Sequence, residues 1–206
     1  MAYSNKEIRI DTTQLERLTK ELKGFEKEVG IAAYHALNRT IDQVITFVAR
    51  TVKSNYAITD NQAEIKKTFS GGIKRPTYSD LTASLTSRGR TLSFAHFKYS
   101  PKKRAKKKAP PVKVTIIKGK QVTSNKGFIA STGAKSADKI QSNVFHRLGK
   151  KRLPIAPIRT LSIPQMISNE KTSNQIQEFA TNKFNERLEH EITRAIMSIG
   201  RKVKGR

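Results

Sequence analysis

The sequence predicts an α+β domain: N-terminal helices including one long helix, a central antiparallel sheet with a basic hairpin loop, and a long C-terminal helix. Three observations carry this. Apolar residues recur every three or four positions near both ends of the chain, the spacing of one buried helical stripe. Between them the period falls to two, with the threonine, serine and aromatic content of strands. Charge divides the chain in the same places: residues 71–165 carry 22 basic and 2 acidic side chains, a net of +20, whereas the other 111 residues carry 19 and 14, a net of +5. Nearly balanced ends suit helices that pack on something, and an unbalanced middle suits a surface facing phosphate or an acidic protein.

Taken in order, Lys6 to Asp11 alternates, with Ile8 and Ile10 on one side, and is expected to form a short strand. Thr13-x-x-Glu16 fits a capping box for a short helix bearing Leu15, Leu18 and Leu22, closed by Gly24. A helix from about Glu26 to Asn55 follows, its stripe made of Ala33, Leu37, Ile41, Val44, Val48 and Val52. Ile31, Ile45 and Phe47 lie off that stripe, which suggests a second covered face, from a thick core or from oligomerisation. Thr59-x-x-Gln62 suggests a further capping box, and Phe69-Ser70-Gly71-Gly72 a helix stop.

Strands are expected at Ile73–Arg75, Leu81–Leu85 and Leu92–Phe97, with a turn at Ser87-Arg88-Gly89-Arg90 between the last two. Lys102, Lys103, Arg104, Lys106, Lys107 and Lys108 then place six cations in seven positions, a block that cannot pack and is expected to be a mobile hairpin loop at about 100–111. Val112–Ile117 and Gln121–Thr123 read as a hairpin about Lys118-Gly119-Lys120. Phe128–Ala130 and Val144–Arg147 add two strands around a polar insert. Prolines 154, 157 and 164 mark an extended run with fixed bends leading into the last helical region, which is expected to begin after Pro164. Ile176, Ala180, Phe184, Leu188, Ile192 and Ile196 give that region one stripe, and Gly200 with a flexible basic tail at 200–206 is expected to end it. Phe128, Phe145, Leu153 and Ile155 are the expected core anchors of the middle region. The whole is read as one domain, 1–206, a length sufficient for a real core.

Composition bounds the chemistry. Cysteine is absent, which removes disulfides, thiolate metal sites and cysteine nucleophiles. The four histidines, at 35, 96, 146 and 190, fall in four elements without metal-ligand spacing, and Asp80 and Asp138 are the only acids of the middle region. Two-metal and paired-carboxylate hydrolysis are therefore disfavoured. There is no Gly-x-Ser-x-Gly elbow, and Gly71-Gly72 runs into Arg75-Pro76 rather than a phosphate-cradling helix. No enzyme, cofactor or metal is expected. With no window near the ~20 apolar residues of a span and no apolar core in MAYSNKEIRID, the protein is expected to stay in the cytoplasm where it is made, without a membrane. The block at 102–108 suits contact with DNA or an acidic partner about as well as a solvated hairpin tip. Arg147, Lys150, Lys151 and Arg152 form a second basic site, expected beside it. Phe94, Phe97 and Tyr99 could stack on bases, but core packing is the stronger account of Phe94 and of one neighbour.

Three blocks carry a resemblance. They are the small-residue helix Ala32-Ala33-Tyr34-His35-Ala36-Leu37-Asn38-Arg39-Thr40, continuing to Val48-Ala49-Arg50; the basic run 102–108; and Gly127-Phe128-Ile129-Ala130, Val144-Phe145-His146-Arg147-Leu148-Gly149-Lys150-Lys151-Arg152-Leu153-Pro154-Ile155 and Ser162-Ile163-Pro164-Gln165-Met166. From about residue 29 onward they resemble the minor tail protein Z family of bacteriophages with long non-contractile tails. The third block is the distinctive one, with Phe128, Phe145, Arg147, Gly149, Arg152, Leu153, Pro154, Ile155 and Pro164 as its motif residues. The resemblance implies a structural tail completion protein at the head-proximal end of the tail, contributing to head–tail joining as a six-copy ring around the DNA channel. It implies as neighbours the tail terminator, tail tube and head–tail connector proteins and double-stranded DNA in the channel. The implied location is the host cytoplasm during assembly, then the tail or neck of the virion. The competing reading from charge alone is a free nucleic-acid-binding protein of ribosomal or nucleoid type.

Overall fold

The helix-period segments fold as the two longest elements of a computed structural model, which describes residues 3–22, 24–103, 110–131 and 142–204, the side chains of residues 3 and 199–204 excepted. In chain order the elements are β1 (Tyr3–Arg9), α1 (Thr13–Glu21), α2 (Glu26–Asn55), α3 (Gln62–Lys67), β2 (Ile73–Lys74), β3 (Ser84–Arg90), a 3-10 turn at Phe94–His96, β4 (Lys98–Ser100), β5 (Val112–Thr115), β6 (Gln121–Ser124), β7 (Phe128–Ser131), β8 (Ser142–Arg147), β9 (Ile155–Pro157), α4 (Ile163–Ser168) and α5 (Glu170–Lys204). The fold is α+β, and its β-structure is three small antiparallel sheets, in strand order β1-β3-β2, β4-β5-β6 and β7-β8-β9.

The helical stripes meet each other. Ala33, Leu37, Ile41, Val44, Val48 and Val52 of α2 are buried against Ile176, Ala180, Phe184, Leu188 and Ile192 of α5. Burying a side chain the size of Phe184 or Leu188 stabilises the fold by about 2–3 kcal/mol each before entropy is counted. The helices run antiparallel: Asn55 at the end of α2 hydrogen-bonds Thr172 and Gln175 at the start of α5, while Phe25 and Val29 face Ile192 and Ile196. Phe47, off the main stripe, stacks on Phe179 at 3.9 Å, so α5 itself covers part of the second face of α2.

Thirty residues make α2 about 45 Å long. At its C-terminal end the second and third sheets are attached through main-chain bonds from Ala57 to Ile116, Lys118 to Asn55 and Phe94 to Ile158. At its N-terminal end lie α1 and the tip of α5. The first sheet leans on α4, where a side chain at Gly89 would press on Pro164.

Several boundaries differ from the sequence reading, each for a local reason. Neither threonine capping box forms: Asp11 accepts from the amide and hydroxyl of Thr13 ahead of α1, and Asn61, not Thr59, caps α3 by accepting from the Glu64 amide. The expected strand at 81–85 starts only at Ser84, and the expected turn at 87–90 lies inside β3, paired with Asn5, Ser4 and Tyr3 of β1. Burial explains the slip, because the inward alternation Ala83, Leu85 continues through Ser87. Leu92–Phe97 is not a strand: Phe94 and Phe97 are both buried but three residues apart, and a 3-10 turn brings them to one side. The last helical region begins before Pro164, with Ser162 as N-cap in a complete capping box with Gln165 and the proline in the first turn, where its missing amide is harmless. Asn169 then separates α4 from α5, and α5 passes Gly200 to reach Lys204. The extended run after Pro154 contains an unforeseen strand, β9.

Candidate functional site

Each basic candidate segment grows from the end of a hairpin. The first joins β4 to β5, which pair with Ser100 opposite Lys113, so the expected hairpin is present. Lys102 turns back over the Tyr99 ring, its Nζ 3.6 Å from the centroid, a cation–π contact that fixes the root of the loop. Partial burial there pulls the Lys102 ammonium below its ordinary pKa and pushes the Tyr99 phenol up. Lys103 is exposed, and Arg104, Lys106, Lys107 and Lys108 lie outside the described residues.

The second segment joins β8 to β9, where Arg147 opposes Ile155 and the Leu148 amide donates to the Pro154 carbonyl at 3.1 Å. Lys150, Lys151 and Arg152 are exposed around its tip with Gly149. Leu148 and Leu153, five residues apart on the same hairpin, are exposed too, at 61% and 65%. Phe128 and Phe145 face each other across the strand pair with ring centroids 6.4 Å apart, and the Arg147 guanidinium sits 5.8 Å from the Phe128 centroid.

That geometry corrects the expected anchors. The inward pair is Ile129 and Val144, while Phe128, Phe145 and Ile155 are half-buried on the outer face and Leu153 is in solvent. A one-residue difference in a short strand exchanges its faces, and the bulkier residue was assigned inward. Pro164 is buried, but at the first sheet rather than at this hairpin.

The two basic segments are not neighbours at their roots. The Tyr99 hydroxyl reaches the Ser142 carbonyl at one end of β8, and Arg147 stands at the other end, five residues or about 17 Å along the strand. Two further features were not foreseen. An apolar groove of about 290 Å³ is lined by Leu22, Phe25, Val29, Ile192 and Ile196 at the far end of the helix pair. Beside it, the buried carboxylate of Glu191 meets Arg39 at 2.7 Å and Arg194 at 3.7 Å. The Arg39 approach lacks hydrogen-bond alignment, so it acts as an ion pair alone. Glu191 follows Leu188 by three residues and was within reach of the helical periodicity.

Among the described residues no helix is long and apolar enough to cross a membrane, and no three His, Asp or Glu side chains are grouped to hold a metal. Compared with family models, with curated proteins and with solved structures, the chain matches none.

Proposed function

We propose that the chain is a structural subunit of a long non-contractile phage tail, completing its head-proximal end and contributing to head–tail joining as a six-copy ring around the DNA channel. The observation that carries this reading is the arrangement of unpartnered surface. The residues of the distinctive motif, Arg147 to Ile155, form a cationic hairpin of the third sheet bearing two exposed leucines. The apolar groove with Phe25 and Ile196 is a separate surface, built from the N-terminal end of α2 and the C-terminal part of α5. Two dissimilar apolar surfaces suit a head-to-tail contact repeated around a closed ring, which needs two different patches per subunit. The charge of +25 suits a position beside DNA or acidic neighbours, with the tail terminator, tail tube and connector as the expected partners.

The test is made in a phage that encodes this chain. Deleting it is expected to give tails that do not join heads. Replacing Lys102, Lys103, Arg104, Lys106, Lys107 and Lys108 with serine is expected to lower joining without removing the subunit from the particle. Normal virions from the deletion would overturn the reading. If purified monomer then bound DNA with a steep salt dependence, the free nucleic-acid-binding alternative would replace it.

A further inference from the structure

Away from both hairpins, a cavity of about 380 Å³ opens where the start of α3, the end of β3, the 3-10 turn and the segment after β9 converge. His96 and Arg159 line it, with Arg90 at the exposed end of β3. The imidazole Nδ1 of His96 lies 2.9 and 3.0 Å from the two carboxylate oxygens of Asp60, and both side chains are only about one-fifth exposed (22% and 20%). This fixes the ring: Nδ1–H donates to Asp60, so Nε2 is the free position, an acceptor when the ring is neutral and a donor when it is protonated. No described side chain is bonded to Nε2. Among the described residues Arg159 is braced from one side only, its Nη1 donating to the Thr91 carbonyl at 2.9 Å, which leaves the rest of the guanidinium fork for another acceptor.

We infer that this cleft binds a phosphate group, held by the Arg159 fork and by His96 Nε2–H. The electrostatics favour an anion despite two nearby carboxylates. Glu64 is engaged by Lys67 at 2.8 Å. Asp60 is engaged by His96, and its carbonyl accepts from Lys53 Nζ at 2.7 Å. With the ring protonated, as donation from Nε2–H requires, the His96–Asp60 pair sums to zero, against +1 from the Arg159 guanidinium. Among the described residues, the charged groups around His96 are Lys53 from α2, Asp60 and Glu64 around α3, Arg90 from β3, and Arg159. The site does not depend on the tail reading. Its phosphate belongs either to a small phosphate ester or to a nucleic-acid backbone.

Titrating the folded protein with sulfate, and with inorganic phosphate, is expected to move the NMR signals of the His96 ring and the Arg159 side chain. His96→Asn, whose amide keeps the donor to Asp60 but has nothing at the Nε2 position, is expected to weaken sulfate binding about fivefold while the circular dichroism stays unchanged. Arg159→Gln is expected to weaken it as well. A short DNA duplex that moves the same signals and is displaced by phosphate identifies the backbone as the source; a duplex that leaves them unmoved identifies a small ester. Signals of His96 and Arg159 that stay fixed under sulfate and phosphate, or sulfate binding that His96→Asn leaves unchanged, would overturn the assignment.

Discussion

Removing the arginine that faces the buried carboxylate of α5 should be far more damaging than removing the carboxylate itself. Glu191 is 5% exposed, Arg39 is 48% exposed, and their closest atoms are 2.7 Å apart. With charge centres about 4 Å apart and an effective dielectric constant of about 20, their attraction is about 4 kcal/mol. Half-exposure of the guanidinium screens this to about 2 kcal/mol. Arg39→Met loses that attraction and leaves the carboxyl group in the α2–α5 interface with the more distant Arg194 at 3.7 Å and His190 at 3.9 Å. Glu191→Leu loses the same attraction but also removes the desolvation cost of the charge, and adds apolar area between the helices. The expected loss is about 2 kcal/mol for Arg39→Met, a drop in Tm of about 4–8 °C for a chain of this size. For Glu191→Leu, and for the double variant, it is under about 0.5 kcal/mol. Urea denaturation followed by circular dichroism, with m held common, measures all three. Equal losses from the two single variants, or strict additivity in the double, would refute the reasoning.

Three further outcomes follow from local geometry. Acidification should destabilise the fold below about pH 4. Asp11 is held below its ordinary pKa by the Thr13 hydroxyl and amide, Asp80 by hydrogen bonds from Lys74 and Thr82, and Glu186 by the Lys183 ammonium. Lowered folded values mean that the unfolded chain binds more protons in this window. The stabilisation is complete above the ordinary carboxylate range and is lost as pH falls through the folded values, which urea midpoints measured from about pH 3 to 7 will trace. Gly72→Ala should lower stability by about 1–3 kcal/mol or prevent folding, since a Cβ there runs into the Thr86 carbonyl of β3; Gly71→Ala, in open space but at φ +71°, is the milder comparison in a thermal melt. Ser162→Ala should cost about 1 kcal/mol by removing the α4 cap, and Ser162→Thr should restore most of it.

What the sequence made legible was set by how far apart the deciding residues lie. Both bounds of α2 and the hairpin about Gly119 follow from neighbours within one or two turns, and both agree with the structure. The start of β3 was misread because the same Leu81-Thr-Ala-Ser-Leu alternation fits two registers, and only pairing with β1, some eighty residues back, selects one. Asn61 outcompeted Thr59 as a cap because the Thr59 amide itself donates to the His96 carbonyl, a tertiary fact. At the candidate sites, the basic residues were plain as composition, yet the inward choice of Ile129 and Val144 over Phe128 and Phe145 was not. The His96–Asp60 pair, 36 residues apart in sequence, left no local trace.

The separateness of the two apolar surfaces also has an evolutionary meaning. No residue of the hairpin from Leu148 to Leu153 lines the groove of Leu22, Phe25, Val29, Ile192 and Ile196, so free-energy changes made at the two should add to within about 0.5 kcal/mol. Selection can therefore retune either surface for a new neighbour without retuning the other.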